Sequence, residues 1–199
     1  MTLRSLLFAI ATLAHQSVFA QPGDPSIDLF QLDEEHLYWQ CAYPIQGAVD
    51  SVDLAVAEML QSRHFISNVV RNDVGYNGDI KGYEINCKRY GRSYFNTPKV
   101  YCDGTWDGKF IVEVKDDFYR VTVYSLTYER TVPRSSNARE MEQKRGDYRS
   151  LVTNKQRTEI KRSERSNLLL MSLSLRDQFD LAESEKAQTP GSSRKNLSN

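Results

Sequence analysis

The chain first shows a regular order at Leu37, Trp39, Cys41 and Tyr43, which alternate with His36, Tyr38, Gln40 and Ala42. A period of two predicts a strand beginning near Glu35, and Pro44 ends it. Asp50 followed three residues later by Asp53 predicts a helix start, the first carboxylate as cap and the second near the positive end of the dipole. Val52, Val56, Met59 and Leu60 then keep helical spacing to about His64. The middle of the chain reads as hairpins. Phe65 to Val70 predicts a strand, Asn77-Gly78 a turn, and Gly82 to Tyr90 a strand with Tyr83, Ile85 and Cys87 on one face. A loop over Gly91–Thr97 leads to a further strand containing Val100 and Cys102. Asp103-Gly104 and Asp107-Gly108 have turn chemistry, one of them suited to a bulge.

The strongest hairpin signal is Lys109–Lys115, Asp116-Asp117, Phe118–Tyr128. Folding about the two aspartates sets Phe110 opposite Val123, Val112 opposite Val121 and Val114 opposite Tyr119, with Glu113 meeting Arg120 on the other face. One face is apolar and one polar, which predicts a sheet covered by helices on one side only. After Pro133 the spacing turns helical: Asn137 and Glu140 resemble a capping pair, and Met141, Tyr148, Leu151 and Val152 follow. Leu168 to Leu175 then places apolar residues around most of a helix, so this C-terminal helix needs cover on most sides. Leu169 and Leu173 are its candidate interaction surface, for a partner or for a second copy of the chain.

The N-terminus carries an address. Arg4 precedes an apolar run over Leu6–Ala14, and Val18-Phe19-Ala20 offers small residues before the polar Gln21-Pro22-Gly23. This predicts a signal peptide over residues 1–20 cleaved between Ala20 and Gln21, too short in its apolar run to span a bilayer, which takes roughly 20 residues. The remaining organisation reads as a leader over 21–34, a core domain over 35–130, a helical segment over 131–184 and a disordered tail over 185–199. The mature chain is expected in the periplasm or outside the cell, with no transmembrane segment. Charge is segregated. Residues 21–129 hold 10 bases and 17 acids, whereas 130–166 hold 11 bases and 5 acids. Pairs at helical spacing, Glu140 with Lys144 and Glu159 with Arg162, read the basic stretch as a solvated helix face, the alternative being a contact surface for an acidic partner, an envelope lipid head group or another copy of the chain; export argues against a nucleic-acid partner.

Three cysteines in an oxidising compartment permit a disulfide. Cys87 and Cys102 lie on strands that flank one loop and share the core side of those strands, which predicts a bridge between them. Closing a loop of 15 residues stabilises by about 3 kcal/mol. Cys41 is then left as a core thiol. As a nucleophile it lacks a partner, since His36 falls on the opposite strand face and His64 at a helix end. No cysteine pair two to four apart and no histidine pair suggests zinc, no glycine-rich loop suggests a phosphate, and Asp116-Asp117 reads as a turn. No cofactor is implied.

Gly78-Asp79-Ile80-Lys81-Gly82, followed by Phe110-Ile111-Val112-Glu113-Val114-Lys115-Asp116-Asp117-Phe118-Tyr119-Arg120-Val121, resembles an exported bacterial family of unknown function with a TBP-like fold, the DUF family numbered 4468. The resemblance covers Glu35 to Glu129. Asp117 stands where a glycine is usual, and the cysteine pair is no part of the family pattern. It implies an α+β fold, a curved antiparallel sheet with a short helix after the first strand and a long C-terminal helix packed on one face. It implies no activity, and the fold name does not bring DNA binding with it. The function expected is a non-enzymatic envelope binding or protein-interaction module; the alternative is a hydrolase or transferase with scattered acid and base residues. Intact mass of the exported protein should show a chain beginning at Gln21; a mature pool that retains Met1 would contradict the signal reading.

Overall fold

The computed structural model describes residues 29–33, 36–45, 48–133 and 141–182. The signal peptide, its Ala20–Gln21 junction, the Asn137–Glu140 capping pair and the 185–199 tail lie outside the described residues. The strands are β1 (Phe30–Leu32), β2 (Leu37–Pro44), β3 (Ile66–Asn72), β4 (Gly75–Glu84), β5 (Thr105–Val114), β6 (Phe118–Pro133) and β7 (Met141–Asp147). The helices are α1 (Val49–Ser62), α2 (Lys99–Cys102), α3 (Tyr148–Val152) and α4 (Arg165–Phe179). The strands form one antiparallel sheet in the order β1-β2-β6-β5-β4-β3, with β7 also pairing β6. This is an open α+β architecture with a long C-terminal helix.

The alternation along β2 holds: Leu37, Trp39, Cys41 and Tyr43 are buried. The β5–β6 hairpin has the register its sequence predicts, Phe110 with Val123, Val112 with Val121, Val114 with Tyr119 and Glu113 with Arg120. The ladder shifts between Asp107 and Lys109, so Gly108 sits in the bulge. Helix α1 buries Val52, Val56, Met59 and Leu60, but it starts at Val49 behind Ala48, which offers no side-chain cap. Asp50 lies in its first turn, where the dipole favours an acid, and does not cap it.

Several expectations are corrected. Asn77-Gly78 is no turn; it lies inside β4, opposite Ile111 and Phe110. The glycine there makes room, because a Cβ would stand 2.8 Å from the Phe110 ring. The chain reverses instead at Asn72, whose Oδ1 accepts from the N–H groups of Val74 and Gly75 at 3.0 Å each. The strand predicted over 82–90 ends at Glu84. Cys87 then opens a 3-10 turn and Cys102 closes α2, so neither half-cystine is on a strand. Helical local spacing can carry the same inward face as a strand, which is why burial was readable and geometry was not.

The largest correction concerns residues 131–147. Met141–Asp147 is a strand, not helix, paired with β6 from Thr127↔Asp147 to Pro133↔Met141. Ladder pairing there outweighs a weak helical propensity. Gly146 belongs to the same arrangement: the Tyr128 ring lies where its Cβ would be, 2.6 Å away. Lys144 therefore faces Arg130 across a ladder, and Arg145 pairs with Glu129 at 2.7 Å. Glu159 precedes the 3-10 turn Arg162–Glu164, so no helix spans Glu159 and Arg162, and the basic stretch is not one solvated helix face. The sheet also crosses the expected domain limits, since β1 lies within 21–34 and β7 beyond 130.

The core lies between the sheet and its helices. Four aromatic side chains from the sheet send their polar ends to α4. Trp39 Nε1 donates to Ser172 Oγ at 3.0 Å, Tyr83 bonds Ser174, and the Tyr43 and Tyr119 hydroxyls donate to the carbonyls of Arg176 at 3.0 Å and Phe179 at 2.8 Å. Arg63 Nε reaches the Gln178 carbonyl at 3.2 Å. Three of the last four carbonyls of α4, which have no partner within a helix, are thus satisfied by other elements. Burial pushes the Tyr43, Tyr83 and Tyr119 hydroxyls well above the ordinary tyrosine range, so they stay neutral donors.

Candidate functional site

Among the described residues no helix lies on the opposite face of the sheet, and its polar side chains largely bond one another. Lys109 and Asn68 both hold Asp79, at 3.2 and 2.7 Å, Arg120 pairs with Glu113 at 2.6 Å, Gln40 bonds Thr122 at 3.0 Å and Tyr38 bonds Gln31 at 2.7 Å. The two hydrogen bonds lower the Asp79 pKa.

A different place gathers polar side chains. The chain leaving β4 turns at Cys87, loops out, returns through α2 and is closed by the Cys87–Cys102 bridge, with the Cα atoms 5.6 Å apart. This closed segment runs along α4. Tyr90 and Arg89 both meet Asp177, at 2.9 and 2.8 Å, Arg92 donates to the Ser166 carbonyl at 2.8 Å, and Tyr101 reaches Glu164 at 3.3 Å. Burial first, and the Asp177 carboxylate second, push the Tyr90 hydroxyl up to about 12. The segment is thus the second cover that the apolar circumference of α4 demands. Leu168, Leu170, Met171 and Leu175 are buried, while Leu169 and Leu173 are half-buried on the remaining side.

Where the closed segment leaves the sheet, a cleft of about 480 Å³ opens. Phe65, Tyr83 and Ile85 form its buried floor, and His64, Glu84, Asn86, Tyr94, Asp103 and Gln178 stand around it. The acids come from the end of β4 and the residue after α2; His64 comes from the α1–β3 junction. Among the described residues no hydrogen bond or ion pair joins His64, Glu84 and Asp103 to one another, and no group of three or more His, Cys, Asp or Glu is placed to hold a metal. Cys41 lies elsewhere, buried on β2 beside Tyr43, and is not brought to His64. Burial pushes its thiol up, which suppresses the thiolate. Asp116-Asp117 is the β5–β6 turn, closed by Lys115 N–H to Phe118 O at 2.9 Å. Sequence reasoning missed Glu84, Asn86, Tyr94 and Asp103. Their only early signal was polar side chains flanking a cysteine pair, a signal too common to choose them. Among the described residues no helix is long and apolar enough to cross a membrane.

No family model matches this sequence. No curated protein matches it. Two solved structures resemble it. One is a TBP-like protein from Parabacteroides distasonis, 13% identical, covering 79% of this chain and 92% of its own, with a TM-score of 0.44. The other is a DUF4468 family protein from Bacteroides ovatus, 13% identical, covering 85% of this chain and 96% of its own, with a TM-score of 0.42. Both descriptions are those to which the sequence resemblance pointed. Neither names a ligand or an activity.

Alkylation tests the thiol arrangement. Iodoacetamide should label no cysteine of the native protein, Cys41 alone after denaturation, and all three after denaturation with reductant. Labelling of native Cys41, or of Cys87 before reduction, would contradict it.

Proposed function

We propose that this protein is an exported, non-enzymatic binding module that takes a polar ligand into the cleft beside the Cys87–Cys102 bridge. One observation carries the reading: that cleft gathers two carboxylates, two side-chain amides, an imidazole and the half-exposed Tyr94 ring on a rigid corner. Hydrogen-bond acceptors and one aromatic edge suit a ligand rich in hydroxyl or ammonium donors. The disulfide fits an oxidising compartment, periplasmic or extracellular, as the N-terminal address suggests. The half-buried pair Leu169 and Leu173 is the part of α4 that such a module would offer to a second copy.

A hydrolase is the second reading, drawn from His64, Glu84 and Asp103 around one opening. A histidine-based acid–base pair needs a hydrogen bond between His64 and a carboxylate, and these side chains are not bonded in that way.

Titration of the isotope-labelled mature protein with defined oligosaccharides and basic peptides, followed by amide shifts, tests the proposal. Shifts should concentrate at residues 84–86 and 102–104, and Glu84→Gln with Tyr94→Ala should weaken binding at least tenfold without changing the fold. Shifts confined to the open sheet face would overturn the assignment. Product formation abolished by His64→Ala would favour the hydrolase.

A further inference from the structure

We propose that the tip of the disulfide-closed segment docks on an anionic lipid surface, independently of whatever ligand the cleft takes. Phe95 is 98% exposed and its neighbour Tyr94 47%. A single exposed apolar side chain is ordinary on a protein surface; three features set this one apart. The first is that the tip is ordered. Ser93 Oγ accepts from the Phe95 N–H at 3.2 Å, and the Ser93 carbonyl accepts from Asn96 and Thr97 at 3.2 and 3.1 Å. Thr97 is buried, and the bridge closes the base. The ring is held outward by the fold, so little ordering entropy remains to be lost on insertion.

The second feature is charge. Between Cys87 and Cys102 lie Lys88, Arg89, Arg92 and Lys99, with no acid. The rest of residues 21–129 carries six bases and seventeen acids, so this segment is a basic island in an acidic domain. Asp177 offsets Arg89, and Arg92 is tied to the Ser166 carbonyl, contacts that fix the segment; Lys88 and Lys99 are exposed. The third feature is what adjoins it. Contact of Arg92 with Ser166 brings the start of α4 alongside, where Arg162 and Arg165 are exposed. Glu164 between them is turned to Tyr101 and Asn167.

An exposed aromatic tip on a segment whose only charged residues are basic matches an interface of apolar chains beneath anionic headgroups. A soluble polyanion would use the cations and leave Phe95 idle, which is why the lipid surface is the occupant argued here. Phe95, Lys88 and Lys99 do not line the cleft, so this test and the cleft test fail separately.

Flotation of the mature protein with vesicles of phosphatidylglycerol and phosphatidylcholine decides the matter. Binding is expected on the mixed vesicles, weak on phosphatidylcholine alone, and reduced by salt. Phe95→Ser should lower the partition coefficient about tenfold. Lys88→Gln with Lys99→Gln should lower it by about fivefold per cation. Unchanged melting temperatures in these surface variants establish that folding is intact. No binding to the mixed vesicles, or equal binding by Phe95→Ser, overturns the proposal. So does binding to heparin that depends on the lysines while the vesicles are ignored.

Discussion

The arrangement depends on how α4 ends. Arg165–Phe179 closes with no glycine in the left-handed conformation to turn its last carbonyls back on themselves; its C-cap, Asp180, is extended. The carbonyl of Phe179 is buried, where water cannot serve it, and an unsatisfied buried acceptor costs about 1–3 kcal/mol. Tyr119 resolves this twice over. Its hydroxyl donates to Phe179 O and accepts from the Leu181 N–H at 3.1 Å. Tyr43, stacked on Tyr119 with centroids 4.7 Å apart, serves Arg176 O, and Arg63 serves Gln178 O. Phe179 itself packs between Trp39 and Phe110, at 6.4 and 5.8 Å. The sheet is therefore the cap of the helix as well as its packing surface.

Seating α4 this way exposes a second flank, and the disulfide-closed segment covers it. Asp177 receives Arg89 and Tyr90 at one end; Ser166 and Glu164 receive Arg92 and Tyr101 at the other. The cleft and the Phe95 tip are by-products of that cover. At its outermost turn Phe95 stands 98% exposed.

Much of this was legible. The alternations in β2 and in the β5–β6 hairpin gave faces and register, because a period of two with one wet side admits a single pairing. The bridge was readable from Cys87 and Cys102 sharing an inward side, although both proved to be on helical turns. What escaped depended on partners remote in sequence. Ser172 and Ser174 look like interruptions of an apolar run until Trp39 and Tyr83 are placed against them. Met141–Arg145 reads as helix until β6 supplies a ladder. The cleft residues come from four separate parts of the chain, the α1–β3 junction, the end of β4, the disulfide-closed segment and α4, and no local spacing announces them.

Unfolding by denaturant of the Tyr119→Phe protein, beside Tyr38→Phe, tests the capping account most directly. The first change removes only an oxygen, leaving the Phe179 carbonyl and the Leu181 N–H without their partner, and should cost about 1–3 kcal/mol. The second removes a hydroxyl on the open face, bonded to the exposed Gln31, and should cost less than about 0.5 kcal/mol. Equal and small losses in the two variants would mean that α4 is held by apolar packing alone.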